Sequence, residues 1–80
     1  MDKLTSHRKQ IGAIDKKILA LLQRRFAIAK KIGAHKRAHG LPLLDKTRER
    51  ELLQFLIKEG QKLGITPASI KSIWRAILRE

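Results

Sequence analysis

An 80-residue chain with nineteen Lys and Arg against seven Asp and Glu carries a formal net charge of +12 and a pI near 11.1. It has no cysteine, which excludes disulfides, Cys-ligated zinc and a thiol nucleophile, and its aromatic residues, at 4%, are too few for a nucleic-acid surface built on stacked rings. Hydrophobic residues at 42% suit one small folded domain over residues 1–80, no apolar run approaches the roughly 20 residues of a membrane span, and Met1 to Leu4 does not open a signal peptide, so the expectation is a cytoplasmic protein with an anionic partner.

The first predicted element is a helix from about Lys3 to His39. Leu4, Ile11, Ile14, Ile18, Leu21, Ile28 and Ile32 fall on one heptad seam, whose remaining slots hold His7, Arg25 and His35. Leu22, Phe26 and Ala29 widen the stripe. Gly12 and Gly33 lie inside the run at a cost of about 1 kcal/mol each relative to Ala, and Gly40-Leu41-Pro42 stops it.

A second helix starts at Asp45, a suitable N-cap. Leu52, Leu53, Leu56 and Leu63 form its apolar face with Phe55 beside them, and it stops near Gly64. Thr66 then caps a third helix with Pro67 in its first turn. The apolar face of that helix is Ile70, Ile73, Trp74, Ile77 and Leu78. The fold class is therefore all-α, three helices with one very long N-terminal helix.

Length makes this an argument about assembly. A helix of ~36 residues reaches about 54 Å, whereas a globule of this size is roughly 30 Å across. Its seam needs a second chain to cover it, which predicts a homodimer of packed long helices. A break at Gly12 or Gly33 is the alternative, but the seam keeps its phase across both.

Several charges stand where an apolar core is expected. Arg25 sits on the seam between Leu21 and Ile28, a costly position for an unpaired cation. Either a carboxylate pairs with it or it snorkels to solvent, or the core opens there into a cavity that holds an anion. Lys36 favours the cavity. It follows Arg25 by eleven residues, within about 20° on the same helix face and roughly 16 Å along the axis.

Asp45, Arg48 and Glu49 form an i, i+3, i+4 stripe at the start of the second helix, readable as a cap with a surface ion pair or as the polar mouth of a pocket. Arg8, about 25 Å before Arg25, reaches the same small ligand only from another subunit. His35 and His39 have metal-like spacing but no third ligand. No catalytic triad or phosphate loop is present.

These residues, Arg8…Ile14-Asp15…Ile18-Leu19…Leu22…Arg25, Ile32-Gly33…Lys36, Pro42…Asp45…Arg48-Glu49 and Ile70…Ile73-Trp74…Ile77, resemble the all-helical (AroQ-class) chorismate mutases over essentially the whole chain. The resemblance implies an intertwined homodimer of the chorismate mutase type II fold. It also implies a cofactor-free, metal-free isomerase that rearranges chorismate to prephenate for aromatic amino-acid biosynthesis. In it Arg25, with Arg8 of the partner subunit, would grip the two carboxylates, and Lys36 would donate to the ether oxygen and a carboxylate. Glu49 would accept from the ring hydroxyl with the Asp45 backbone assisting. Arg48 would complete the polar wall, and Ile32 and Leu78 would pack on the hydrocarbon faces.

Bacterial relatives extend the last helix and place there a Ser and then a Gln or Glu that donates to the ether oxygen. This sequence stops at Glu80, so the resemblance implies a weakened mutase or a substitute donor. Three further readings stand beside it: an isochorismate pyruvate-lyase of the same fold, a non-catalytic basic helical dimer that binds nucleic acid, and a regulatory mutase-like module. The charge supports the nucleic-acid reading, with non-specific binding only.

Overall fold

A computed structural model describes residues 2–79; Glu80 lies outside them. Three helices follow one another: α1 (Lys3–Ala38), α2 (Lys46–Lys62) and α3 (Pro67–Leu78). No strand occurs among the described residues.

Local chemistry sets each boundary. The Asp2 carboxylate opens α1 by accepting from the Thr5 backbone N–H at 2.7 Å. That bond to the Thr5 backbone, followed by one to its side chain, holds the Asp2 carboxyl below its ordinary value. At the other end Gly40 turns left-handed (φ 64°). The Leu41 N–H then reaches back to the Lys36 carbonyl at 2.8 Å and the Gly40 N–H to that of Arg37 at 3.3 Å, the Schellman pairing that satisfies carbonyls at a helix end.

Asp45 is the α2 N-cap with extended backbone, its Oδ1 accepting from the Arg48 N–H at 3.0 Å. The α2 terminus repeats the first. Gly64 has φ 76°, and the N–H groups of Ile65 and Gly64 return to the carbonyls of Gly60 and Gln61 at 2.8 and 3.2 Å. Thr66 caps α3 by accepting from the Ser69 N–H at 3.2 Å, with Pro67 in the first turn.

The chain divides into two compact units, the first running as far as His35 and the second starting at Lys36. In the second unit α3 packs on α2. Ile70 is the buried hydrophobic residue of this contact, 4% exposed, and sits against the buried Gly60. A Cβ at position 60 would meet Ile70 Cδ1 at 2.9 Å. Leu52, Leu53, Leu56 and Ile57 of α2 and Trp74, Ile77 and Leu78 of α3 are half-buried around this point.

Two members of the expected apolar faces stand outside it. Leu63 is 77% exposed, because it is the C-cap and lies past the last helical residue of α2. Ile73 is exposed at the edge of the α3 stripe.

The first unit is α1 alone. The helix runs unbroken through Gly12 and Gly33, so the fold-back alternative does not hold. α1 has no buried residue. Its seam from Leu4 to Ile32 stays between 48% (Ile18) and 59% (Leu21) exposed. An amphipathic helix draws most of its stability from burial of such a stripe.

Candidate active site

The polar residues picked out by the sequence fall on α1 and on the first turn of α2. Arg25 is half-buried although its seam neighbours Leu21 and Ile28 are exposed. Among the described residues it makes no ion pair with a carboxylate, in contrast to Lys62, which pairs with Glu59 at 3.1 Å on the surface of α2. Beside Arg25 is an open hollow of about 240 Å³ lined by Arg25, Ile28, Ala29 and Ile32. A guanidinium over aliphatic walls offers an anion two parallel donors next to apolar surface. Ile32 is thus brought beside Arg25, whereas Arg8 is exposed farther up α1 and lines neither this hollow nor the one described next.

Lys36 opens the second unit. It is half-buried, and its ammonium Nζ donates to the Leu43 carbonyl at 3.4 Å, tying the end of α1 to the segment before α2. Two residues on, Asp45 is fully engaged as a cap. Its side chain accepts from Arg48, and its carbonyl accepts from the Glu49 N–H at 3.1 Å. Capping therefore fixes the first turn of α2, with Arg48 exposed and Glu49 half-buried. Of the two readings of this stripe, the cap is present as the Arg48 N–H bond to Asp45.

Glu49 and Leu78 meet in a second hollow of about 360 Å³, lined also by Leu53, Lys71, Arg75 and Arg79. Three cations thus surround one carboxylate and leave the hollow net positive. Sequence reasoning missed Lys71, Arg75 and Arg79. Their i, i+4, i+8 spacing was the available signal. What it could not convey was the packing of α3 on α2, which puts that row opposite Glu49. Among the described residues no three of His, Asp and Glu gather as metal ligands would, and no helix is long and apolar enough to cross a membrane.

Comparison with known proteins adds a family-level match. A family model described as chorismate mutase type II matches residues 7–80. The T-protein of Enterobacter agglomerans is 36% identical over 78 residues, covering 98% of this chain and 21% of that protein. The T-protein of Haemophilus influenzae is 31% identical over 80 residues, all of this chain and 21% of that one. The bifunctional chorismate mutase/prephenate dehydratase of Aquifex aeolicus is 35% identical over 81 residues, 98% of this chain and 22% of that one. The chain spans about a fifth of the length of the curated relatives it matches.

Proposed function

The chain belongs to the chorismate mutase type II family, and from that premise we propose that it converts chorismate to prephenate, as a cofactor-free cytoplasmic homodimer serving aromatic amino-acid biosynthesis. The observation that carries the reading is the family match, which extends from residue 7 to residue 80. The half-buried, carboxylate-free Arg25 beside its hollow supports it.

The reaction is a [3,3] sigmatropic rearrangement. One C–O bond breaks as a C–C bond forms, and negative charge builds on the ether oxygen in the transition state. No proton transfer or covalent intermediate is needed. The protein's part is to hold the reactive conformer and to stabilise that charge. In this reading Arg25 and Arg8 of the partner subunit bind the two carboxylates. The Lys36 ammonium leaves the Leu43 carbonyl for the ether oxygen. Glu49 accepts from the ring hydroxyl beside the capped Asp45 turn, Arg48 completes the polar wall, and Ile32 and Leu78 pack on the ring. The homodimer is supported by the exposed α1 seam, which a second α1 would cover. Residues 1–80 then act as one catalytic domain.

The test is direct. Chorismate incubated with the full chain, without added cofactor, loses its absorbance as prephenate accumulates. Release of pyruvate from isochorismate with no prephenate formed from chorismate would replace this reading with a lyase. Absence of turnover by folded protein at millimolar substrate would overturn both.

A further inference from the structure

α1 carries charge that the site does not use. Its 36 residues contain eleven Lys and Arg and one acidic residue, Asp15, a net of +10 out of +12 for the chain. Within the first unit, seven of these cations form two adjacent rows on the helix. Lys9, Lys16 and Lys30 make one row at multiples of seven residues, and Lys3, Lys17, Arg24 and Lys31 make the other. All seven are exposed, and at 3.6 residues per turn they fall within about half of the circumference. Between the rows stand Ala13, Ala20 and Ala27, so the cations are the tallest groups on that face.

We propose that this face of α1 binds the phosphodiester backbone of duplex nucleic acid without sequence preference. From Lys3 to Lys31 the rows extend ~42 Å at 1.5 Å per residue, with single cations at 3, 9 and 24 and pairs at 16/17 and 30/31, successive levels ~9–11 Å apart. That spacing is close to the Debye length of about 8–10 Å at 0.1–0.15 M salt, so neighbouring cations still overlap in their action on a polyanion at low salt. A duplex presents one negative charge per ~1.7 Å of its axis, a denser row of charge than the cations of α1. The stiffness and regular charge of the rows match a long, evenly charged polymer. A membrane surface fits less well. An interfacial helix buries its apolar seam, and on α1 that would turn the Lys9–Lys16–Lys30 row away from the headgroups. Six of the seven cations are Lys, whose point charge suits phosphate oxygens without fixing a base sequence.

The experiment is fluorescence anisotropy of the full chain with a labelled DNA duplex of ~30 base pairs, titrated from 50 to 200 mM KCl. Seven phosphate contacts predict an affinity loss on the order of 10³–10⁴-fold across that range. The variant K16Q/K17Q/K30Q/K31Q should bind more weakly at 50 mM and lose only about 40-fold over the same range, because four contacts are gone. A control with equal charge loss on exposed α2 residues, K46Q/R50Q/K58Q/K62Q, should keep the wild-type salt slope. K17Q alone should lower the slope by about 0.9 and serves if the quadruple variant loses helix content by circular dichroism. Chorismate turnover should be the same in wild type and stripe variants, which separates this result from the fate of the mutase reading. The proposal fails if the wild type does not bind at 50 mM, or if the α2 control flattens the slope as much as the stripe variant. It also fails if phosphatidylserine vesicles bind at that salt and the duplex does not.

Discussion

Between α1 and the α2–α3 pair, charge is divided as unequally as burial. The two later helices carry seven Lys and Arg against three Glu and share a buried contact at Ile70 and Gly60. α1 carries eleven against one and buries nothing. The pair closes its core with its own residues, so its polar groups are free to be arranged around a hollow. α1 presents one apolar side and one cationic side, both exposed. In this chain the shorter helices bury a contact between them, and the long helix leaves both of its sides exposed.

Substitutions can break that division at either end. The largest effect is expected at Arg25. Arg25→Ala should lower kcat/KM on chorismate by about 10²–10³-fold through loss of its charge-assisted grip on a substrate carboxylate, with helix content unchanged. Near-normal turnover would remove Arg25 from the site. Mixing the Arg25→Ala and Arg8→Ala chains sharpens the point. With subunit exchange verified, heterodimers should regain part of the activity, because one of two shared sites is intact, and no recovery would mean that each site is built within one chain.

Ile70→Ala tests the self-sufficient half. Denaturant unfolding should show a loss of about 2–5 kcal/mol, the usual cost of emptying a buried aliphatic position. A loss under 1 kcal/mol would mean that the α2–α3 contact contributes little.

Gly12→Ala probes the open half. A Cβ there meets nothing within 4 Å, so helix propensity alone should add about 1 kcal/mol. Destabilisation instead would place a second chain against that position.

The smallest effect is at Asp2. Its carboxyl lies below the ordinary value of 3.8. The capping stabilisation is therefore complete above that pH and lost as pH falls through the lower folded value. Amide exchange at Thr5 and Ser6 should quicken in that acid range, and Asp2→Asn should remove the pH dependence.

The ends of the elements were the most legible part of the sequence. Asp45, Thr66-Pro67, Gly40 and Gly64 each carry a local hydrogen-bonding or φ requirement that no tertiary contact is needed to express. The α1 seam was legible because a heptad repeat over four turns or more has few other readings. The candidate site was legible only in pieces. Arg25 stood out as a cation on an apolar seam. Lys71, Arg75 and Arg79 did not, because an α3 row gains meaning only from what lies opposite. Leu63 was misread for the converse reason. Its spacing continues the α2 face, but the chain leaves the helix one residue earlier.

The close approach of Gly60 to Ile70 constrains how the chain can vary. A methyl added at 60 would press on the Ile70 δ-carbon from 2.9 Å. A homologue that acquires Ala at the first position must move the side chain at the second or shed bulk there. Positions 60 and 70 should therefore drift as a pair, and Gly60→Ala should be better tolerated together with Ile70→Val than alone.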